Sequence, residues 1–449
     1  MVGDERRGAK HKLSAVPWLW PSAIVAGGFL ASKALGLLRE ILIARAFGAR
    51  GDLDAFFAAT QFSDLLFAVI AGGSLASVFI PVFSGYLARD ATALRAGWQF
   101  ASAVINAVFL VVALFALGTL ILAQPITEHW LAPGFAPAQR TLTAELLRLV
   151  LVSTIIFSVS GMFTGILHAH NRFVLPALAP ALYNLGIIAG VLYLAPAFGV
   201  FGLAYGVVAG SALHLAIQLP GLWRCGAQYT LTLGGHTAGM RRLLVLLGPR
   251  IVTMLGVRAT WIVMTNLASR LDEGSIAALG YAYAIWQLPE TLIGTAIALA
   301  VFPRLSAQFA AQQSAALRAT YRSALAAILG LAIPATLALI AFAQPIVALF
   351  LQRGAFDATA TARVAVVLQW YALAVVGEAL LELTARIFYA RQNSVTPMIV
   401  ALGAMTVRVG LMLAWHASLG AAGLALAYAI GVLLEGIVLG WLGKIAADG

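Results

Sequence analysis

Long apolar runs recur through almost the whole of this chain. Hydrophobic residues occupy 62% of the 449 positions, whereas charged residues occupy only 10%. Many of the runs extend for about 20 residues, the length that a helix needs to cross a hydrocarbon core of roughly 30 Å. Because the runs are continuous and do not alternate at every second residue, they predict transmembrane helices and not strands.

The lengths of these runs predict about twelve spans. Their approximate bounds are 19–47, 52–87, 99–123, 143–167, 173–195, 198–222, 242–269, 275–303, 319–348, 361–388, 395–416 and 420–442. The first two runs exceed the thickness of a bilayer, so we expect tilted, bent or broken helices there. Gly72-Gly73 marks the expected bend in the second run.

The loops on the two sides of the membrane differ in charge. One set, which includes both chain ends, holds most of the basic loop residues, while the other set (124–142, 269–275 and 349–360 among them) holds several acids. The positive-inside rule therefore predicts that both termini are cytoplasmic. The 28 Lys and Arg against 17 Asp and Glu fit this topology, and we expect no nucleic-acid partner because the chain lacks a basic reader module.

Short sequence matches at nearly one offset indicate an internal repeat. Ala123-Gln-Pro-Ile recurs as Ala343-Gln-Pro-Ile, 220 positions later, and Gly199 with its neighbours recurs at Gly420, 221 positions later. Six helices return the chain to its starting side, so the two copies should be parallel, related by an axis along the membrane normal. The pattern predicts an all-α membrane protein with two six-helix lobes, a central cavity and alternating access.

These observations divide the chain into four parts. We expect a cytoplasmic N-terminal tail (1–17), an N-lobe with helices 1–6 (18–225), a cytoplasmic linker (226–241) and a C-lobe with helices 7–12 (242–443). Cys225 is the lone cysteine, and no Cys/His cluster has metal-ligand spacing, so we expect no metal and no cofactor. No Walker loop and no Ser/His/Asp set is recognisable, which favours a transporter over an enzyme.

Charged residues inside the apolar runs are the functional candidates. Each charge near the bilayer centre costs roughly 2.5–3.5 kcal/mol, so it should face a wet cavity, another charge or a polar ligand. The N-lobe contributes Lys33, Arg39, Glu40, Arg45, Asp54 and Asp64, and the C-lobe contributes Arg250, Arg258, Glu290, Glu378, Glu382, Arg386, Arg408 and Glu435.

Helical spacing suggests how some of these charges are arranged. Lys33 and Glu40 are seven positions apart on nearly the same face, where they can neutralise one another or share a ligand. Glu382 and Arg386 have the spacing of a local ion pair, which leaves Glu378 without a local cation. The arginine fork also suits a phosphate group, because it can bind two oxygens at once.

A series of motifs extends over nearly the whole chain. They are Leu35-Gly-Leu-Leu-Arg39-Glu40, Phe47-Gly48, Asp54-Ala-Phe-Phe, Phe79-Ile-Pro-Val-Phe, Leu131-Ala-Pro-Gly-Phe, Asn171-Arg-Phe followed by Asn184, Gln218-Leu-Pro, Gln344-Pro-Ile and Arg353-Gly-Ala-Phe-Asp. In order and spacing the chain resembles the MurJ (MviN) family, whose members are flippases for lipid II, the lipid-linked peptidoglycan precursor. That family belongs to the multidrug/oligosaccharidyl-lipid/polysaccharide exporter superfamily.

The resemblance implies that cationic residues hold the pyrophosphate of the lipid in a central cavity. By motif position Arg39 and Asp54 coincide with functional residues of the family, and Glu40 stands where the family carries an acid. We therefore expect a substrate site that contains Lys33, Arg39, Glu40, Asp54 and Arg258. We also expect gating or secondary residues at Arg250, Asp64, Glu378, Glu382 and Arg386.

The chain departs from the family pattern at four places. Just before the Leu35-Gly-Leu-Leu-Arg39-Glu40 motif the family usually has Ser-Arg, and this chain has Ser32-Lys33. Phe67-Ala68 stands where the family usually has a basic pair, and Ala284 stands where it usually has an arginine. The chain also ends after about twelve spans, where the family usually has two more helices that line a groove for the lipid tail. We expect Arg250 or Arg258 to replace the missing C-lobe charge.

The sequence thus predicts a flippase that moves lipid II, or a related polyprenyl-pyrophosphate-linked saccharide, across the inner (plasma) membrane. Two alternatives stay open: a cation-coupled exporter of soluble compounds that would use Asp64, Glu378 and Glu382, and a non-transporting scaffold of the same fold. The expected partners are the lipid-linked saccharide, the bilayer and proteins of cell-envelope synthesis, and the expected state is a monomer.

Overall fold

The computed structural model describes residues 19–70, 73–87, 91–234, 238–391 and 393–448, and the regular elements in these ranges are helical. In order they are α1 (Leu19–Phe47), α2 (Gly51–Ile70), α3 (Gly73–Leu87), α4 (Ala91–Ile121), α5 (Ala123–Ile126), α6 (Pro137–Ala169), α7 (Val174–Ala189), α8 (Ala195–Phe198), α9 (Val200–Ala216), α10 (Leu219–Arg224), α11 (Ala238–Ala268), α12 (Ser275–Glu290), α13 (Ala296–Ala310), α14 (Ser314–Ala341), α15 (Ala343–Leu351), α16 (Ala358–Ala390) and α17 (Val395–Asp448). Single π-helical turns lie at Thr127–Leu131, Gly190–Leu194 and Thr291–Thr295.

The predicted spans correspond to these helices. Within the described ranges, eight helical stretches are long and apolar enough to cross a membrane. The last stretch, Val395–Gly443, contains two predicted spans, because Gly420 interrupts α17. The other three predicted spans are α1, α2 with α3, and α11, which contain intramembrane charges. The second predicted span comprises α2, described to Ile70, and α3, described from Gly73. The bend expected at Gly72-Gly73 falls at residues 71–72, which, like the N-terminal tail predicted over 1–17, lie outside the described residues.

The internal repeat is visible in the backbone. Gly199 has φ 57° and ψ −137°, and its repeat partner Gly420 has φ 59° and ψ −144°. Such a conformation has positive φ, which glycine adopts without steric cost. The two Ala-Gln-Pro-Ile motifs likewise restart a helix directly after a break, at Leu122 and at Phe342. The predicted all-α, two-lobed fold is therefore confirmed.

Glycines allow α7 and α9 to approach closely in the N-lobe. A Cβ added at Gly186 would lie 2.3 Å from the Gly210 Cα, and one added at Gly190 would lie 2.6 Å from the Gly206 Cα. The helix α7 with its C-cap Gly190, and the helix α9, thus each present two glycines four positions apart, the small-residue pattern of close helix pairs in membranes. Because α1 also packs against α7, this contact helps to place Asn184 of α7 beside α1.

The helix α11 connects the lobes by packing against both of them. Its first turns contribute Met240, Leu243 and Leu247 to a buried cluster that also holds Phe79 and Phe83 of α3. Its later turns pack against α17 of the C-lobe. Consequently, α11 crosses from one lobe to the other and borders the space between them.

Candidate functional site

A central cavity of about 510 Å³ lies between helices of the N-lobe and α12 of the C-lobe. Its lining includes Arg39, Glu40 and Asp64, which the sequence had singled out, together with Gln287 of α12. A second cavity of about 170 Å³ is lined by Arg258 and shares Asp64 with the first. The two adjoining cavities therefore bring charged residues of α1, α2 and α11 to one region.

Arg39 is held in a defined position at the wall of the larger cavity. Its Nη1 donates to Asn184 Oδ1 at 2.9 Å, and its Nη2 and Nε donate to Glu40 Oε1 at 2.5 and 3.1 Å. Asn184 is itself fixed, because its Nδ2 donates to the Ser32 carbonyl at 3.1 Å. The Arg39 side chain is still 26% exposed. The guanidinium is therefore oriented in advance and remains accessible from the cavity.

Lys33 lies at the boundary between the lobes. Its Nζ donates to Gln287 Oε1 of α12 at 3.4 Å and lies 5.6 Å from the centroid of the Phe29 ring. Glu40 pairs with Arg39, so of the two options for Lys33 and Glu40, the direct neutralisation is not formed, and a shared ligand stays a prediction. Seven helical positions separate the two by about 10.5 Å along the axis, which exceeds the length of an ion pair.

Asp54 lies away from the cavity and joins the two lobes. Its two carboxylate oxygens accept from the amides of Gly274 and Ala277, each at 2.6 Å, and so cap the N-terminus of α12. Glu273 makes the reciprocal contact, because its Oε1 accepts from the Gly51 amide at the start of α2 at 2.6 Å. Each lobe therefore caps a helix of the other with a carboxylate.

Further inter-lobe contacts surround these caps. Asn266 Nδ2 donates to the Trp130 carbonyl at 2.7 Å, and the Gly134 amide donates to Ser269 Oγ at 3.1 Å. Ala355 corresponds to Gly134 in the internal repeat. Its amide donates to the Arg45 carbonyl in the last turn of α1 at 2.9 Å. The loops involved are those predicted to lie outside the cell. The two lobes thus meet at this end of the bundle, which closes the cavity there.

The remaining candidates lie within the C-lobe. Arg386 Nη2 and Glu382 Oε2 are 2.6 Å apart, so the predicted local pair is confirmed. Glu378 accepts from the Tyr428 hydroxyl at 2.7 Å. The Arg250 side chain lies outside what the structure describes.

A buried cation accompanies this C-lobe cluster. Arg408 Nη2 lies 3.4 Å from Glu435 Oε2, and its guanidinium carbon lies 4.8 Å from the centroid of the Tyr428 ring. Arg408 and Glu435 are each 8% exposed. Through Tyr428, the Arg408 charge lies close to Glu378, so these acids have a cation supplied by the chain itself.

Some residues of the site are not marked by charge in the sequence. Gln287 and His214 line the cavity, and Asn184 orients Arg39, but these uncharged side chains do not stand out within the apolar runs of the sequence. Asn184 could be identified from the sequence, because it ends the motif that begins with Asn171-Arg-Phe. No sequence pattern marks Gln287 as a site residue, since only the fold places it opposite Lys33.

A two-lobed helical bundle with a polar central cavity, closed at one end by inter-lobe contacts, defines the class of alternating-access membrane transporters. The family model described as "Lipid II flippase MurJ" matches residues 43–446. This protein therefore belongs to the lipid II flippase MurJ family and is a multi-pass membrane protein.

Individual relatives agree with this assignment. The Lipid II flippase MurJ of Burkholderia cenocepacia is 31% identical over 92% of this chain and 81% of its own length. The probable lipid II flippase MurJ of Rhizobium meliloti is 30% identical over 94% of this chain and 78% of its own length.

Solved structures agree in fold. The structure described as lipid II flippase MurJ in an inward closed conformation aligns with a TM-score of 0.84 and 25% identity, over 94% of this chain and 87% of that one. An inward-facing multidrug resistance MATE family transporter aligns with a TM-score of 0.76 over 93% of this chain and 94% of that one. At 16% identity, that second likeness concerns the fold alone.

Proposed function

We propose that this protein moves a polyprenyl-pyrophosphate-linked saccharide, lipid II or a close relative, across the membrane by alternating access. The observation that carries this proposal is the placement of Arg39 and Arg258 on adjoining cavities between the lobes. The oriented fork of Arg39 suits a pyrophosphate, since a guanidinium can bind two oxygens in one plane. Lys33, which contacts the cavity residue Gln287 across the lobe boundary, would add a third positive charge.

Asp64 would act as the counter-ion of the unloaded site. It lines both cavities, the larger one together with Arg39 and the smaller one together with Arg258. An anionic substrate that binds these arginines would have to compete with the carboxylate. Asp64 would therefore weaken binding and favour release, which gives it a role in turnover.

Asp54 and Glu273 would form the gate. Both carboxylates cap a helix of the opposite lobe at the closed end of the bundle. If this end faces outward, as the charges of the loops suggest, the two termini are cytoplasmic and the cavity is ready to receive substrate from the inner leaflet. The caps would then have to break before the saccharide leaves on the outer side.

A cation-coupled exporter would need an acidic ion site in one lobe. Of the three acids expected to serve it, Asp64 shares the cavities with Arg39 and Arg258, Glu382 pairs with Arg386, and Glu378 lies near Arg408 through Tyr428. A resident guanidinium supplies the positive charge that a bound ion would otherwise provide. The arrangement therefore favours the lipid flippase over this alternative.

Transport of lipid II into proteoliposomes tests the proposal. Reconstituted protein should move fluorescent lipid II between leaflets, whereas a polyprenyl monophosphate carrying the same sugars should move poorly. Equal transport of both lipids would contradict recognition of the pyrophosphate. No transport of either, from protein that retains its fold, would favour a non-transporting scaffold. Partners among cell-envelope synthesis proteins and the monomeric state belong to the same proposal, and co-purification and native mass measurement would test them.

A further inference from the structure

The segment that connects the lobes, residues 226–234, lies along α4 in a non-helical conformation. Three of its large side chains are strongly exposed, with Tyr229 at 65%, Leu231 at 89% and Leu233 at 54%. They alternate along the chain with Gln228, Thr230 and Thr232. An extended segment with period two has two faces. Here Leu231 and Leu233 are directed away from the protein, whereas Tyr229 exposes its ring but reaches back to α4 with its hydroxyl.

Two polar residues of α4 hydrogen-bond to the backbone of Gln228, Thr230 and Thr232 in this segment. Asn106 Nδ2 donates to the carbonyls of Thr230 and Thr232, at 3.2 and 2.9 Å. Ser102 Oγ accepts from the Thr230 amide at 3.1 Å and donates to the Gln228 carbonyl at 3.4 Å. Of these two partners, Asn106 lies further from the start of α4 than Ser102.

The chain then turns back toward the start of α11. Gly234 adopts a positive φ of 53°, and a Cβ added there would lie 2.6 Å from the Ala103 Cβ. Gly239, further on, lies beside Phe100 of α4. The segment therefore descends along α4, reaches Asn106 and returns, which is the path of a re-entrant loop.

The position of Asn106 on α4 sets the depth of this loop. A hydrocarbon core of roughly 30 Å corresponds to about 20 helical residues, and counting back from Ile121 at the far end of α4 places its inner boundary near residue 102. Asn106 then lies about 6 Å inside that boundary. The apolar face of the segment is thus at the level of the acyl chains.

We infer that the inter-lobe segment is a re-entrant loop whose Tyr229, Leu231 and Leu233 side chains insert among the acyl chains of the lipid leaflet. Non-helical backbone at such depth needs protein partners for its polar groups. Asn106 and Ser102 supply them for Gln228, Thr230 and Thr232, which alternate with the apolar residues. The Tyr229 hydroxyl is satisfied as well, since it donates to Asn106 Oδ1 at 2.7 Å. The linker predicted as cytoplasmic would then be a membrane-inserted element attached to the N-lobe.

Spin-label accessibility tests this inference. In a Cys225→Ser background, a nitroxide would be attached to Leu231→Cys in lipid vesicles, and its collisions with oxygen and with a water-soluble nickel chelate would be compared. Leu114→Cys is the lipid-facing control, since Leu114 is 58% exposed on α4. Ala311→Cys, in the exposed turn between α13 and α14, is the aqueous control.

We expect the oxygen-to-nickel ratio at Leu231→Cys to match that at Leu114→Cys and to exceed that at Ala311→Cys severalfold. A ratio equal to that of Ala311→Cys would overturn the insertion. Asn106→Leu, which keeps α4 apolar, should lower the ratio at Leu231→Cys by releasing the loop, while Gln99→Leu on the same helix should leave it unchanged. An unaffected ratio in Asn106→Leu would overturn the anchoring role of Asn106.

Discussion

Glu273 accepts a hydrogen bond from the Gly51 amide at 2.6 Å, and the two residues are 222 positions apart, close to the period of the internal repeat. Each residue therefore occupies nearly the position of the other in its own lobe. A contact between two such positions lies close to the axis that relates the lobes. The closed end of the bundle is thus held by a reciprocal exchange of helix caps, in which Asp54 supplies the second carboxylate.

Removing the Asp54 carboxylate should loosen this end. Asp54→Ala leaves the buried amides of Gly274 and Ala277 without their acceptor, at a cost of about 1–3 kcal/mol for each. We expect spin labels at Ala138→Cys and Thr359→Cys, repeat-related positions at the starts of α6 and α16, to move apart. Pulsed distance measurement in a Cys225→Ser background would report the shift.

Asp52→Ala is the matched control for that experiment. Asp52 lies in the same first turn of α2 but is exposed. The Asp52→Ala substitution should leave the distance between the labels at Ala138→Cys and Thr359→Cys unchanged. An unaltered distance distribution in Asp54→Ala would show that the caps do not hold the lobes together.

Neutralising Asp64 should strengthen the binding of an anionic lipid. Asp64→Asn removes a negative charge that shares both cavities with the arginines, and at a separation of several Å such a charge is worth about 1–3 kcal/mol. We expect the Kd for lipid II in detergent to fall about tenfold. Asp52→Asn, outside the cavities, should not change it. Weaker binding in Asp64→Asn would mean that Asp64 contacts the substrate favourably.

The buried ion pair between Arg408 and Glu435 in the C-lobe should contribute to the free energy of unfolding. Arg408→Met leaves Glu435 with an uncompensated buried charge, which typically costs about 3–5 kcal/mol. The midpoint of thermal unfolding in detergent should fall clearly, and Glu435→Gln in the same chain should restore most of it. Glu382→Gln, whose pair with Arg386 is more exposed, should have a small effect of about 1 kcal/mol or less. Equal losses in the two single variants would contradict this ranking.

Sequence patterns predicted the spans because hydrophobic length and loop charge are local properties. The repeat was readable for a similar reason, since Gly199 and Gly420 must both remain glycine to adopt a positive φ. The pairing of charges depended on three-dimensional packing. Glu40 turns to its neighbour Arg39 because α7 places Asn184 on the other side of that guanidinium, and no spacing within α1 indicates this.

The role of Asp54 shows the same limit. Its motif marked it as important, but its partners are the backbone amides of Gly274 and Ala277, which have no side-chain signature. Only the fold of the second lobe brings those amides to Asp54. The placement of Asp54 among the substrate-binding residues thus stays a prediction, and its position away from the cavity favours the gate.

Arg39 is the residue that we propose to bind the pyrophosphate of the lipid. The most direct test of this role is the affinity of purified protein for lipid II, measured by native mass spectrometry on the wild type and on Arg39→Ala. The loss of charge-assisted hydrogen bonds should weaken binding by about 1.5–3 kcal/mol, or roughly 10- to 100-fold. Arg39→Ala combined with Glu40→Gln controls for the acid that the single variant leaves unpaired.

Arg45→Ala provides the matched control, because Arg45 ends the same helix with an exposed side chain. We expect a large loss of lipid II affinity in both Arg39 variants and wild-type affinity in Arg45→Ala. Wild-type affinity in folded Arg39→Ala would contradict this role of Arg39.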